Sequence, residues 1–207
     1  MPTGAGKSIC YQLPALLLPG LTLVISPLIS LMKDQVTALS QIRISSAYIN
    51  SSLAAAQYRE VFRRAKSGAY KIIYVAPERL ITADFLQFAG ETEISLLAVD
   101  EAHCVSQWGQ DFRPSYLKIA EFVGSLAKRP VVGAFTATAT EVVKADIEKL
   151  LLLQSPLRIT TGFDRPNLYF DVVRPKSKDA YLRAFLAGRP GQSGIVYCAT
   201  RKTVESV

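Results

Sequence analysis

Side chains that hold transition metals are scarce in this chain of 207 residues. It contains a single histidine and three cysteines, Cys10, Cys104 and Cys198, which lie far apart. Their separations match no zinc-ligand spacing, and a buried free thiol is the simplest interpretation of each. The sequence therefore argues against a zinc site.

Long apolar stretches are also missing. The longest candidate, residues 13–29, is interrupted by three prolines and a glycine, whereas a membrane-spanning helix needs about 20 apolar residues. The first residues lack the basic-then-apolar layout of a secretory signal. We therefore expect no membrane partner and a cytoplasmic location, at the nucleoid in a bacterium or in the nucleus in a eukaryote.

Acidic residues are outnumbered, with 17 Asp and Glu against 24 Lys and Arg, for a net charge of +7. Such an excess favours a polyanionic partner, with nucleic acid ahead of a membrane surface. The hydrophobic content of 49% is typical of a core-forming protein. The length suffices for one full domain and part of another.

Short apolar runs rich in β-branched residues alternate with segments of helical period. Continuous hydrophobicity is typical of strands buried on both faces of a parallel sheet, so the pattern predicts an α/β fold. The predicted strands are residues 21–26, 46–49, 71–76, 95–100 and 131–136. The predicted helices are one after Ser8 and residues 29–41, 54–68, 116–127 and 140–154.

The pattern changes after residue 154. Residues 155–175 predict short strands punctuated by prolines, followed by a helix at 179–187, a strand at 194–199 and a helix from Arg201. We place a domain boundary near Gly162, with a first domain at residues 1–161 and the beginning of a second at 162–207.

The first eight residues, MPTGAGKS, nearly match the phosphate-binding pattern G-x-x-x-x-G-K-[ST], with Met1 at the first glycine position. Glycines let backbone N–H groups wrap phosphates, the lysine neutralises charge, and the hydroxyl ligates Mg²⁺. A glycine-rich turn before a helix is the alternative. The predicted ATP-binding residues are Thr3, Gly4, Ala5, Gly6, Lys7 and Ser8.

Two carboxylates end the predicted strand at 95–100. In SLLAVDEAH, Asp100 is suited to holding Mg²⁺ and Glu101 to activating the attacking water. An acidic loop end after any parallel strand is the alternative, but the phosphate-loop pattern makes the catalytic interpretation the stronger one.

Taken in order, these motifs resemble those of the RecQ family of superfamily-two DNA helicases. Besides MPTGAGKS and DEAH, the resemblance rests on ISPLISLMKDQ (25–35), YVAPERL (74–80), CVSQWGQDFRPSY (104–116), FTATAT (135–140), GFDRPNLYF (162–170) and SGIVYCATR (193–201). It implies a RecA-like domain with helices on both faces of the sheet and the start of a second RecA-like domain.

The run at 104–116 mixes Trp108, Asp111, Phe112 and Arg113. Aromatic rings stack on bases and arginine contacts phosphate, so this composition favours a sensor of single-stranded DNA. A core tryptophan beside a helix-capping aspartate is the alternative. The resemblance implies the sensor, which would act on Glu101 or His103.

Further contacts follow from positions at strand ends, where ligands of open α/β sheets bind. Ser26, Pro27 and Arg79 are predicted to touch DNA, as is Arg201 in the second domain; a solvated surface is the alternative for such charged side chains. Thr136 and Thr138 are predicted to hydrogen-bond the DEAH carboxylates, unless these small residues only pack. His103 is predicted to link the nucleotide and DNA sites.

The resemblance implies ATP- and Mg²⁺-dependent 3′–5′ translocation on single-stranded DNA and unwinding of duplex or branched DNA in recombination, repair and replication. It also implies a piece of a longer enzyme, lacking a first strand, an adenine-reading glutamine motif and the arginine finger, so we expect this chain alone to be impaired or inactive in turnover. We expect the absent strand to leave an unfilled slot in the sheet. An RNA helicase of the DEAH type and a nucleic-acid-binding module without turnover stay open as alternatives.

Overall fold

A computed structural model describes residues 4, 6–161 and 167–206. The chain divides into two compact units, residues 1–163 and 164–207. The predicted domain boundary at Gly162 and the predicted phosphate-loop residues Thr3 and Ala5 lie outside the described residues. Within the described ranges, no helix is long and apolar enough to cross a membrane.

The first unit is built on one sheet of five parallel strands, in the order β2-β3-β1-β4-β5. Each of the five predicted strands is confirmed to within two residues at either end. The strands are Leu21–Ile25 (β1), Ser46–Ile49 (β2), Ile72–Val75 (β3), Ile94–Val99 (β4) and Val131–Ala134 (β5).

Six helices and three short 3₁₀ turns connect these strands. The helices are Lys7–Leu17 (α1), Ile29–Gln41 (α2), Ala55–Lys66 (α3), Ala83–Gly90 (α4), Lys118–Ser125 (α5) and Glu141–Leu150 (α6). The 3₁₀ turns are Pro77–Arg79, Ala102–Val105 and Pro114–Leu117. Helix α4 was not predicted, and the predicted helix at 116–127 is shorter, because its first residues belong to the last 3₁₀ turn.

Helices cover both faces of the sheet, as predicted. Alternate residues of the central strands enter two separate apolar clusters, since successive side chains of a strand point to opposite faces. Leu23 and Ile25 pack with α3, α4, α5 and α6 on one face. Val24 packs with α1 and α2 on the other.

The expected slot in the sheet is not present. The five strands are hydrogen-bonded in one unbroken series, so β2 and β5 are the edges of the sheet that the structure describes. Strand β1 is central and entirely buried, whereas Val131 at the start of β5 is exposed.

The second unit contains two helices in its described part, Lys178–Ala187 (α7) and Arg201–Ser206 (α8). The strands predicted within 155–175 and at 194–199 do not form in the described residues. A strand is stable only when its backbone groups pair with a neighbour, and no partner strand is described around them.

The cysteines differ in their surroundings. Cys104 is buried, as predicted, and burial raises the pKa of its thiol to about 11. Cys10 is exposed and Cys198 is half-buried, so the interpretation of each as a buried thiol was wrong for these two.

Candidate nucleotide and nucleic-acid site

The phosphate loop leads directly into α1. Gly4 and Gly6 have φ angles of 82° and 81°, the left-handed region that glycine enters without strain. Gly6 is the N-cap of α1, so Lys7 and Ser8 occupy its first turn. An N-terminal helix end with this loop before it is a site for anions, because its free N–H groups face the ligand.

Lys7 lies against the predicted catalytic carboxylate. Its Nζ is 3.4 Å from Oε1 of Glu101, although 94 residues separate the two in sequence. Oε2 of the same carboxylate is 3.3 Å from Nδ1 of His103. Glu101 is therefore held between a lysine and an imidazole.

His103 continues the chain of contacts to β5. Its Nδ1 lies 2.9 Å from Oγ1 of Thr136, whose hydroxyl donates to the carbonyl of Thr138 at 3.0 Å. Since the threonine proton is engaged and the carboxylate of Glu101 only accepts, Nδ1 of His103 is the donor toward both. The predicted link from the threonines to the carboxylates thus passes through His103, and Thr138 takes part through its backbone.

The backbone of Glu101 is strained. Its φ and ψ are 46° and 45°, a left-handed conformation that is uncommon for residues other than glycine. The hydrogen bonds on either side hold it there: Asp100 N–H donates to the carbonyl of Ile25 and Ala102 N–H to that of Phe135, each at 2.9 Å. Such strain is concentrated at functional sites.

Asp100 is buried at the carboxyl end of β4. Oδ1 accepts a hydrogen bond of 3.0 Å from the N–H of Glu101, and the carbonyl of Asp100 accepts one of 2.8 Å from the hydroxyl of Tyr116. Burial, and next the charge of Glu101, raise the pKa of the Asp100 carboxyl above its ordinary value. A cation nearby would oppose both effects.

The donor set here fits Mg²⁺. The phenol of Tyr11 lies close enough to both Ser8 and Asp100 for each to influence its pKa, so the two proposed ligands share a neighbour. Mg²⁺ takes few protein oxygens and fills its shell with water and phosphate oxygens. The described residues contain no cluster of three or more His, Cys, Asp or Glu side chains that could hold a metal.

The aromatic-rich loop, residues 104–116, packs directly on the DEAH segment. A Cβ added to Gly109 would overlap the carbonyl oxygen of His103, so only glycine allows this approach. The hydroxyl of buried Ser106 accepts from the N–H of Trp108 at 3.1 Å and donates to Asp146 of α6 at 2.6 Å. The ring of Trp108 itself is 77% exposed, so it is available to a base while its backbone is fixed.

Arg113 ties this loop to the end of β1. Its Nη1 donates to the carbonyl of Pro27 at 3.0 Å, and its Nε and Nη2 donate to Asp111 at 2.9 and 2.7 Å. The structure thus joins two segments that were predicted separately as DNA contacts. Phe112 is half-buried beside them.

The other predicted DNA contacts differ in their surroundings. Ser26 is buried and its hydroxyl has no hydrogen-bond partner among the described residues, so it does not offer the direct surface contact that we predicted. The guanidinium of Arg79 lies over the ring of Tyr58 at 5.0 Å. Arg201 is exposed at the start of α8, in the second unit.

Sequence reasoning missed a set of buried polar residues beneath the phosphate loop. Gln12 of α1 donates to Gln35 of α2 at 2.9 Å and to the hydroxyl of Tyr74 of β3 at 3.0 Å. The sequence does place Tyr11 and Gln12 shortly after the phosphate loop. We did not predict polar contacts there, because a helix that faces a sheet normally buries apolar residues.

Comparison with known families agrees with this geometry. Residues 1–145, more than half of the chain, match the family described as DEAD/DEAH box helicase. The chain belongs to the DEAD/DEAH box helicase family.

Its curated relatives include RecQ helicases. The chain is 49% identical to the ATP-dependent DNA helicase RecQ of Bacillus subtilis and 42% identical to the ATP-dependent DNA helicase Q1 of Rattus norvegicus. In both cases the match covers all of this chain and 35% of the relative. The chain therefore spans about a third of the length of these proteins.

Solved helicase structures share the RecA-like fold of this DEAD/DEAH box chain. The Hef helicase domain of Pyrococcus furiosus superposes with a TM-score of 0.54 at 20% identity, covering 74% of this chain and 32% of Hef. The helicase MrfA bound to DNA gives a TM-score of 0.56 at 22% identity, covering 72% of this chain and 23% of MrfA. At such identities the likeness concerns the fold alone.

Proposed function

We propose that this chain is the nucleotide-hydrolysing part of an ATP-dependent DNA helicase of the RecQ type. In the complete protein, ATP hydrolysis would drive 3′–5′ movement along single-stranded DNA and separate duplex or branched DNA during recombination, repair and replication. The identity of 49% to a RecQ helicase over the whole chain supports the DNA substrate. The SQWGQDFRP segment weighs against an RNA helicase of the DEAH type.

The observation that carries this proposal is the position of Glu101. Its carboxylate lies between Lys7 Nζ at 3.4 Å and His103 Nδ1 at 3.3 Å. A general base must be correctly oriented, and the lysine on one side with the imidazole N–H on the other fixes the position of this carboxylate. One neighbour belongs to the phosphate loop, and the other contacts the aromatic-rich loop.

Each residue of the site has a role that follows from its chemistry. The N–H groups at the start of α1 and the ammonium of Lys7 bind the phosphates of ATP, which draws Lys7 away from Glu101 and frees that carboxylate to accept a proton from water. Ser8 and Asp100 would hold Mg²⁺, which neutralises phosphate charge when bound. Movement of the aromatic-rich loop on DNA would reorient His103 through the tight contact at Gly109.

The test is ATP hydrolysis by the chain with and without single-stranded DNA, beside the variant Glu101→Gln. We expect DNA to stimulate the turnover that the chain retains without an arginine finger, and the variant to lose about 10²–10⁴-fold in rate, which is the usual contribution of a positioned general base. Glutamine has almost the same shape, so ATP binding should persist, as measured with a fluorescent ATP analogue.

Other outcomes would separate the alternatives. Stimulation by RNA but not by DNA would contradict the DNA substrate. Equal turnover in the wild type and in Glu101→Gln would contradict the catalytic role. DNA binding that is lost with added salt yet indifferent to ATP, in a folded chain without turnover, would favour a binding module.

A further inference from the structure

A polar bridge lies inside an otherwise apolar cluster on the α1–α2 face of the sheet. We call Gln12, Gln35 and Tyr74 the glutamine–tyrosine bridge. The side-chain amide of Gln12 donates to Oε1 of Gln35 at 2.9 Å and to the hydroxyl of Tyr74 at 3.0 Å, and this hydroxyl lies 3.5 Å from the same Oε1. Three elements, α1, α2 and β3, thus meet at one set of polar atoms.

The bridge is buried at Tyr74 and partly exposed at the two glutamines. Tyr74 is 1% exposed and both glutamines are half-buried. It lies among Val24, Met32 and Ala98 in the apolar cluster. Removing one partner from such a site leaves the others short of a hydrogen bond next to the buried Tyr74, so the three side chains favour one mutual arrangement.

The bridge extends to the phosphate loop through Tyr11. Tyr11 lies one turn after Ser8 on α1 and packs in the same apolar cluster as Tyr74. Its ring packs edge-on against Phe135, with centroids 5.4 Å apart. Helix α1 therefore carries both Ser8, the proposed Mg²⁺ ligand, and Gln12 of the bridge.

The far end of the bridge lies on the helix that follows the end of β1. Gln35 belongs to α2, which begins two residues after Pro27. The carbonyl of Pro27 is the acceptor for Arg113 of the aromatic-rich loop. The segment from Pro27 to α2 is thus fixed at one end by the predicted DNA sensor and at the other by the helix of the phosphate loop.

We propose that the glutamine–tyrosine bridge transmits the state of the phosphate loop to helix α2 and so couples nucleotide binding to single-stranded DNA binding. Gln12, Tyr74 and Gln35 act as positioning residues, since none of them contacts the reacting atoms. This inference rests on the proposed function and adds a second route of coupling, separate from the contact of Gly109 with His103.

The test measures coupling as a ratio of dissociation constants. The affinity of the 207-residue chain for Mg²⁺ with a non-hydrolysable ATP analogue is determined with and without oligothymidine. Tyr74→Phe removes one hydroxyl and keeps the ring, and Gln12→Leu removes the donor. We expect either variant to reduce the ratio about fivefold, in the range typical of coupling between sites.

A matched control is available on the neighbouring strand. Tyr48 of β2 is the register partner of Tyr74 on β3, and Tyr48→Phe deletes a hydroxyl outside the bridge. The ratio should then equal that of the wild type. Hydrogen exchange of residues 29–41 gives an independent readout: the nucleotide should slow exchange in wild-type α2 but not in Tyr74→Phe.

Each outcome decides something. A wild-type ratio retained in both bridge variants overturns this proposal and leaves the proposed function intact. If the variants bind nucleotide more weakly in the absence of DNA but keep the same ratio, the bridge only maintains the conformation of the phosphate loop. That result also overturns coupling. A wild-type ratio of one overturns this proposal, while the proposed function is still decided by the hydrolysis assay, because turnover need not follow the coupling of binding.

Discussion

Two apolar runs of similar composition differ in this molecule, since one forms a buried strand and the other does not. Residues 94–99, ISLLAV, form β4, which pairs with β1 and β5 and is almost wholly buried. Residues 194–199, GIVYCA, form no strand, and Ile195 and Tyr197 are 79% and 90% exposed. The difference lies in the surroundings, because β4 has two strand neighbours and the second run has none among the described residues.

This contrast shows what an apolar, β-branched run can specify. It determines that a segment is able to form a strand, but the strand itself requires partner backbone groups and a face to cover. The folding free energy of the first unit therefore comes mainly from its shared core. Apolar side chains near Ile195 contribute little to stability. Paired substitutions in the two regions test this view.

The largest expected difference is between Leu97→Ala and Ile195→Ala. Leu97 is fully buried in β4, so its truncation should lower the free energy of unfolding by about 2–5 kcal/mol. The change at exposed Ile195 should stay within about 0.5 kcal/mol. Urea unfolding followed by circular dichroism measures both, and a comparable loss at Ile195 would mean that the second run is buried in solution.

A smaller difference is expected between two helix caps. Thr140 accepts from Val143 N–H at the start of α6, and Ser177 accepts from Ala180 N–H at the start of α7. Thr140→Ala should reduce the free energy of unfolding by about 1 kcal/mol, since α6 buries Val143 and Ile147 in the core.

Ser177→Ala should leave that unfolding transition unchanged, because the described helix α7 has no buried residue. Its effect should appear only as faster hydrogen exchange within α7. If Ser177→Ala shifted the main transition as much as Thr140→Ala does, the two units would share one cooperative core.

The smallest expected effect concerns the folding stability that the first unit loses by burying the carboxylate of Asp100. Burial and the charge of Glu101 raise the pKa of folded Asp100 above its ordinary value of 3.8. The folded chain then binds this proton more tightly than the unfolded chain, so ionised Asp100 reduces stability above its folded pKa, and stability returns as the pH falls toward 3.8.

Asp100→Asn should therefore stabilise the metal-free chain at pH 7 while removing a proposed Mg²⁺ ligand. The advantage should shrink as the pH falls through the folded pKa and vanish below the ordinary value of 3.8, where the wild-type carboxyl is protonated in both states. Thermal unfolding at a series of pH values checks this sign. A variant less stable than the wild type at pH 7 would show that the carboxylate is stabilised by its neighbours.

Much of the first unit could be predicted from the sequence, because each strand is a continuous apolar run that ends at a turn. Helix α4 was not predicted, because its eight residues, ADFLQFAG, are too few to show helical periodicity. The predicted strand at 194–199 failed for the opposite reason, since the local pattern was clear but the partner was lacking.

The candidate site likewise contains residues that the sequence predicts and contacts that it does not. Motif spacing identified Lys7, Asp100 and Glu101, because the chemistry demands these residue types. No spacing could show that Arg113 reaches Pro27, that Gln12 meets Gln35 and Tyr74, or that the hydroxyl of Ser26 is buried. Such contacts depend on sheet order and on register, which local patterns do not contain.

The left-handed backbone of Glu101 has a consequence for how this position can vary. In a saturation library, glycine, asparagine and aspartate would suit the φ of 46° best, while valine, isoleucine and threonine would strain the turn. None of the favoured three places a carboxylate at the same reach. Selection for folding and selection for turnover would therefore choose different amino acids at position 101, and abundance in cells would be a misleading guide to fitness there.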